Sequence, residues 1–159
     1  MSGRFPESFG PYTLLQQVAV GGMAEILLAM EERPDAARRF VTIKRIRPEF
    51  EGDPDFIEFF LSEGLVSLRC SHPNLTRAFD LDKVGEVNYL AMEYIRGHTL
   101  LDVIRRAFDR NIHLSVPAVL YIVKSVAQAL EYLHSMRDDN GNLMHVIHRD
   151  VTPQNIMID

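Results

Sequence analysis

The residues best suited to chemistry lie near the end of the chain, in His148-Arg149-Asp150-Val151-Thr152-Pro153-Gln154-Asn155. Asp150 and Asn155 stand five positions apart behind a His-Arg pair. Loops that serve phosphoryl transfer use this spacing to set a proton-accepting carboxylate and a metal-binding amide. Such a transfer asks the protein mainly to position two oxygens and to neutralise charge, and a short rigid loop suits both tasks. His-Arg-Asp alone recurs by chance in unrelated chains. Pro153, Asn155 and the apolar Ile156-Met157-Ile158 behind them, readable as a strand, make chance a poor account.

A second pair of charges stands earlier. Residues 40–46 alternate in and out as a strand, and Lys44 shares its parity with Thr42 and Ile46 rather than with Val41, Ile43 and Arg45. A helix is expected to follow from Asp53, a good N-cap, through Pro54 to about Arg69. On it Phe56, Phe59, Phe60, Val66 and Cys70 form one broad stripe with Glu63 in its middle. A carboxylate there either turns out to water or finds a cation, because burying it unpaired would cost several kcal/mol. Lys44 is the natural partner. Gly64 costs the helix roughly 1 kcal/mol against alanine, which points to close packing there or to a mobile element.

The elements that must position these groups read as follows. Residues 12–20 and 24–31 are apolar runs joined by Gly21-Gly22-Met23, hence a strand, a glycine turn and a second strand. A polar turn over 31–37 leads to the Lys44 strand. After the helix, Ser71-His72-Pro73-Asn74 ends it, and strands are expected over 75–83 and 87–94 about a Val84-Gly85-Glu86 turn. Five strands with one inserted helix make an α+β unit. Residues 93–97 read as a linker. Beyond it come a short amphipathic helix over 100–110 and a long one over 116–136, capped by Ser115 with Pro117 in its first turn. Val119, Ile122, Val123, Val126, Leu130 and Leu133 are its expected buried face. Asp139-Asn140-Gly141-Asn142 marks an exposed loop over 137–144.

A chain of 159 residues, 47% of them hydrophobic, can build a real core in one domain or a little more. With 17 basic against 22 acidic residues the net charge is −5, which argues against a nucleic-acid surface. Arg38-Arg39 and Arg105-Arg106 read as solvated faces. The single cysteine, Cys70, cannot form an internal disulfide and reads as a buried thiol in a reducing compartment. The first ten residues include Arg4, Pro6 and Glu7 and resemble neither a signal peptide nor an anchor. No run reaches the ~18 apolar residues that span a bilayer, so a cytoplasmic chain without a membrane segment is expected.

A glycine turn between two strands, Val41-Thr42-Ile43-Lys44, a Glu-bearing helix, a His72-Pro73-Asn74 break and the His-Arg-Asp loop follow one another in that order. In this the chain resembles a eukaryotic-type protein kinase, over residues 12–159. Gly21-Gly22-Met23-Ala24-Glu25, the wording of the loop and the insertion at 137–144 are most similar to the bacterial serine/threonine kinases of that superfamily. The resemblance implies an N-terminal tail over 1–10, a five-stranded antiparallel N-lobe with one helix over 11–95, and the start of a helical C-lobe over 96–159. It implies ATP and Mg²⁺ (magnesium) as cofactors and proteins carrying Ser or Thr hydroxyls as substrates. By that resemblance Val18, Ala19, Gly21, Gly22 and Ile26 would lie over the phosphates and adenine. Lys44 would hold the α- and β-phosphates and pair with Glu63. Thr42 would line the adenine pocket, Met92 would stand behind the base, and Met157 would form its floor. The main chain of Glu93 and Ile95 would bond the adenine edge, Asp150 would be the base and Asn155 a metal ligand. His148 would pack the loop, and Arg149 would await a phosphate or acidic group on the activation segment.

Departures from the family pattern carry weight. The first and third glycines of its phosphate loop are here Ala19 and Ala24, each adding a methyl where backbone must approach phosphate. Thr152 replaces the lysine usual in serine/threonine kinases. The Asp-Phe-Gly metal motif and activation loop are expected beyond Asp159. With Asn155 as the remaining ligand, turnover by these residues alone is not expected. Six large apolar side chains on the long helix represent roughly 9–18 kcal/mol of burial if left uncovered. A whole domain is stable by only about 5–15 kcal/mol, so self-association or a partner is expected. Two other readings compete: a non-catalytic nucleotide-binding or protein-docking module, which Ala19, Ala24 and Thr152 favour, and more weakly a small-molecule phosphotransferase on a related fold.

Overall fold

The computed structural model describes residues 5–32 and 38–159. The polar turn expected over 31–37 therefore lies, from residue 33 on, outside the described residues, as does Arg4. The chain divides into two units, one comprising the residues up to Ser71 with Thr76–Tyr94, the other His72–Leu75 with Ile95–Asp159.

The first unit is a six-stranded antiparallel sheet with one helix. Its strands are β1 (Glu7–Phe9), β2 (Tyr12–Val20), β3 (Ala24–Glu32), β4 (Arg38–Ile46), β5 (Ala78–Val84) and β6 (Val87–Glu93), in the order β1-β2-β3-β4-β6-β5. Five strands were expected. The sixth is β1, in what reads as an N-terminal tail, paired Glu7 to Leu14 and Phe9 to Tyr12. Three residues are too few to show alternation, but Phe9 is buried, with its ring edge-on to Tyr89 at 5.4 Å. Gly10, at φ +54°, makes the turn into β2, a conformation that favours glycine.

Both faces of the sheet are covered. One holds Leu14, Leu27, Val41, Ile43 and Tyr89, all 2% exposed or less. The other holds Ile46 and Leu90 against Phe60 of α1 (Pro54–Arg69). Asp53 caps α1 by accepting from the Asp55 amide at 3.0 Å, and Pro54 occupies its first turn. The buried stripe is narrower than expected, because only Phe60 and Gly64 are buried and Phe59 is half exposed. Gly64 explains itself by close packing: a Cβ there would stand 2.6 Å from Leu81 Cδ1. Cys70 ends the helix half-buried, its thiol bonded to Val66 O at 3.3 Å, and burial pushes its pKa up.

The second unit holds α2 (Leu100–Asp109), α3 (Val116–Ser135) and a small antiparallel ladder of β7 (His98–Thr99) with β8 (Met157–Ile158). Thr99 caps α2 by accepting from the Asp102 amide, and Ser115 caps α3 from the Ala118 amide. The loop after α3 is a tight turn in which Asp138 Oδ1 accepts from the amides of Asn140 and Asn142 and Gly141 takes φ +84°. The expected buried face of α3 is corrected. Ala129 and Leu133 are buried within it, but Val119 and Val123 are exposed, along with Leu120 and Tyr121. Ile122, Val126 and Leu130 are half-buried, so the described residues cover the second half of the expected face and leave its first turns open. By length and average composition alone α3 is long and apolar enough to cross a membrane, although it holds no unbroken run of ~18 apolar residues. Lys124 and Glu131 interrupt it.

Candidate active site

The first unit gathers most of the expected nucleotide residues on one sheet face. Antiparallel pairing sets Ala19 opposite Ile26, Ile26 opposite Lys44, and Lys44 opposite Leu90. One step along, Leu28, Thr42 and Met92 face one another. Directly paired residues share a face, so Ala19, Ile26, Thr42, Lys44 and Met92 lie together, with Val18 more than half exposed nearby. Lys44 Nζ donates to Glu63 Oε1 at 2.5 Å, its ammonium 5.9 Å from the Phe60 ring. Glu63 is itself partly exposed, with 45% of its side chain open. It therefore both reaches water and finds a cation. So open a pair contributes about 1 kcal/mol or less to stability, and its persistence places charge more than it holds the fold.

Gly21 and Gly22 form the turn between β2 and β3, with the Gly21 amide bonded to Ala24 O at 2.8 Å. A Cβ on Gly21 would stand 3.2 Å from that oxygen, whereas one on Gly22 would meet nothing within 4 Å. A side chain at the first glycine would be tight against that oxygen, and open space lies beside the second. Arg47, missed by the sequence reading, holds this turn. Arg47 donates through Nη1 to Gly22 O at 3.0 Å and Gly21 O at 3.3 Å, and through Nη2 to Glu49 Oε1 at 2.9 Å. Glu49's own backbone amide and then Arg47 hold its carboxyl below the usual range. Arg45, on the opposite face, donates to Glu25 at 2.6 Å and Glu7 at 3.3 Å, and Gln17 also donates to Glu25. Burial works against the Arg45 charge, but Glu25 and then Glu7 outweigh it and raise its pKa above the ordinary value. Only alternation along β4 hinted at these roles, since it separated Arg45 from Lys44 without saying what either would meet.

The second unit holds the loop. Asn155 Nδ2 donates to Asp150 Oδ2 at 2.7 Å and to Asp150 O at 3.1 Å. Its amide is planar, so Oδ1 faces away from Asp150. His148 Nδ1 accepts from the Asp150 amide at 3.3 Å, and Asn155 N bonds Thr152 O at 3.0 Å. Arg149, just before the carboxylate, takes φ +63°, a left-handed conformation costing roughly 1–3 kcal/mol away from glycine. Such strain persists where neighbouring contacts over-determine it. Two of those contacts come from α2, whose Leu100 and Leu101 amides donate to Ile156 O at 2.7 Å and Pro153 O at 2.9 Å. Helix N-terminal amides lack partners within the helix, and here they hold the loop. Thr152 Oγ1 is buried and meets no hydrogen-bond partner among the described residues. Met157 faces Thr99 across the small ladder.

Glu93 and Ile95 fall on either side of the division between the units. The Glu93 amide donates to Arg77 O at 2.9 Å, and Ile95 O accepts from the Gly97 amide at 3.0 Å. Gly97, read only as linker, is a packing residue: a Cβ on it would stand 2.0 Å from Ile158 O. No local signal in the sequence marks it, because its neighbour is some sixty residues away.

A strand lysine paired to a helix glutamate and an aspartate bonded to an asparagine five residues on are thus both formed, each within its own unit. Comparison with known proteins agrees with this geometry: residues 12–159 match the protein kinase domain. The chain belongs to the protein kinase family. Among its relatives, tyrosine-protein kinase MasK of Myxococcus xanthus is 33% identical over 152 residues, 96% of this chain and 24% of MasK. Serine/threonine-protein kinase PrkC of Bacillus subtilis is 31% identical over 150 residues, 94% of this chain and 21% of PrkC. The crystal structure of the Mycobacterium tuberculosis PknI kinase domain matches with a TM-score of 0.73 and 28% identity, over 99% of this chain and 59% of that one. The chain spans at most about a quarter of these curated kinases and under two thirds of the PknI kinase domain chain.

Proposed function

We propose that these residues belong to a serine/threonine protein kinase that transfers the γ-phosphoryl group of ATP, with Mg²⁺, to protein hydroxyls. Lys44 holds the α- and β-phosphates, Glu63 keeps it in place, and Gly21 and Gly22 let backbone approach the phosphates. Thr42, Ile26 and Met92, which share one sheet face, line the base, with the main chain of Glu93 at its edge. Asp150 accepts the proton of the attacking hydroxyl. Asn155 fits a metal in one respect, since its Nδ2 bonds to Asp150 leave Oδ1 turned outward. Among the described residues no group of three or more acidic, His or Cys side chains could hold a metal, and Mg²⁺ is commonly held by one or two carboxylates together with phosphate oxygens. Bound there, the ion would neutralise charge on the transferring phosphoryl group.

The observation that carries this reading is the Lys44–Glu63 pair, an ammonium from β4 set against a carboxylate from α1. Its test is Lys44→Met in the intact protein. The nucleotide-dependent rise in melting temperature and phosphoryl transfer should both disappear, and an unchanged rise would overturn the pocket assignment. One observation favours a second acceptor, tyrosine: the likeness to MasK. Phosphoamino-acid analysis of the product separates the two. A non-catalytic docking module would show nucleotide binding, or none, without transfer.

A further inference from the structure

The glycine turn is gripped from behind. Arg47 leaves the end of β4 three residues after Lys44, and its backbone amide bonds Met23 O at 3.0 Å. Its guanidinium reaches the two carbonyls at the centre of the turn, Gly21 O and Gly22 O, through a single nitrogen, while the other terminal nitrogen rests on Glu49. In a trans peptide the carbonyl of one residue points opposite to the amide of the next. Drawing the carbonyls of Gly21 and Gly22 onto one cation therefore directs the amides of Gly22 and Met23 away from it, together. A cation on the oxygen also polarises the peptide and strengthens its N–H as a donor. Successive backbone amides presented in this way make a concavity suited to anions. The open space beside Gly22, where a Cβ would meet nothing within 4 Å, lies at the same turn.

We infer that Arg47 is a positioning residue that aims the Gly22 and Met23 amides at the nucleotide's phosphates, a role that rests on the nucleotide-binding reading above. It gives this turn a substitute for conformational control elsewhere left to glycine, since Ala19 and Ala24 flank it. Arg47 does not touch the nucleotide. It acts through the backbone, so its effect falls on ligands with phosphates in reach of the turn and spares those without.

The test is calorimetric titration of the intact protein with Mg²⁺-ADP and, separately, with adenosine. Arg47→Ala should raise the ADP dissociation constant about tenfold and leave the adenosine constant within about twofold, with the melting temperature nearly unchanged. Arg47→Lys, which keeps one cationic donor for the carbonyls, should recover part of the ADP affinity. Equal losses for ADP and adenosine would mean that Arg47 merely supports the fold. Unchanged ADP binding would also overturn the inference. Lys44→Met separates the two levels of the argument: if it weakens ADP while Arg47→Ala does not, only the clasp fails, and if neither weakens ADP, the nucleotide reading fails with it.

Discussion

The two units solve the same problem, holding a charged group still, by different means. In the first, side chains do it: Lys44 by Glu63, Glu25 by Arg45 and Gln17, and the turn carbonyls by Arg47, on a sheet buried on both faces. In the second, one side chain, Asn155, bonds the Asp150 carboxylate, and backbone holds the loop that carries them: the carbonyls of Pro153 and Ile156 are tied to the first amides of α2, and Gly97 lies against Ile158 O. The partly exposed Lys44–Glu63 pair can be lost at small cost to the fold, whereas Glu25 is buried and losing its partners costs more. A backbone frame fails as a piece, because no rotamer can relieve it. The chemistry is therefore separable from folding in the first unit and bound up with it in the second.

Several variants would break or sharpen that contrast. The largest effect is expected at the charges themselves. Lys44→Met should lower phosphoryl transfer on the order of 100-fold or more, with unfolding free energy changed by about 1 kcal/mol or less, as read by kinase assay and urea titration. Asp150→Asn should lower the rate by about 100- to 10,000-fold with ADP binding kept in calorimetry. Next come two glycines. Gly97→Ala drives a methyl into the Ile158 backbone, so a loss of about 3 kcal/mol or more is expected, with transfer falling alongside. Gly64→Ala meets only the mobile end of Leu81, and an overpacking cost of about 1–3 kcal/mol is partly offset by roughly 1 kcal/mol of helix propensity. If Gly64→Ala proves the costlier in urea titration, the distinction between backbone and side-chain frames is wrong.

A smaller effect concerns pH. Burial, then the charges of Asp80 and Glu31, push the Tyr12 hydroxyl up to about 12. Burial and the hydrogen bond to Asp80 raise Tyr89 further. Below about pH 10 both folded and unfolded chains keep these protons. Above it the unfolded chain ionises first, so stability falls as pH rises toward 12. The urea midpoint should drop over that window, and Tyr89→Phe should flatten the drop. Smallest is Gly22→Ala, with no neighbour to meet: stability should hold within about 0.5 kcal/mol, while ADP binding weakens severalfold.

What the sequence disclosed follows from periodicity. Alternation along 40–46 put Lys44 on the opposite side from Val41 and Ile43, and three-and-four spacing put Glu63 on the helix that meets it, because both are local repeats. The fold class and the order of the strands from Tyr12 onward followed from the same signals. β1 escaped notice because three residues are shorter than any repeat. Val119 and Val123 of the expected face of α3 lie open because periodicity identifies an apolar face and says nothing of what lies against it. Arg47 and Gly97 stayed hidden for a related reason: each is defined by a backbone oxygen far away in sequence, and an oxygen is the same at every residue.

Gly64 is the neighbour of Glu63, and a Cβ on it would stand 2.6 Å from Leu81 Cδ1. The missing methyl thus works as a ruler: it sets how far the helix stands off the sheet and, one residue away, whether a carboxylate can span the gap to Nζ. Thicken that spot and the reach fails before the scaffold does, which makes the smallest residue on α1 the gauge for its most consequential one.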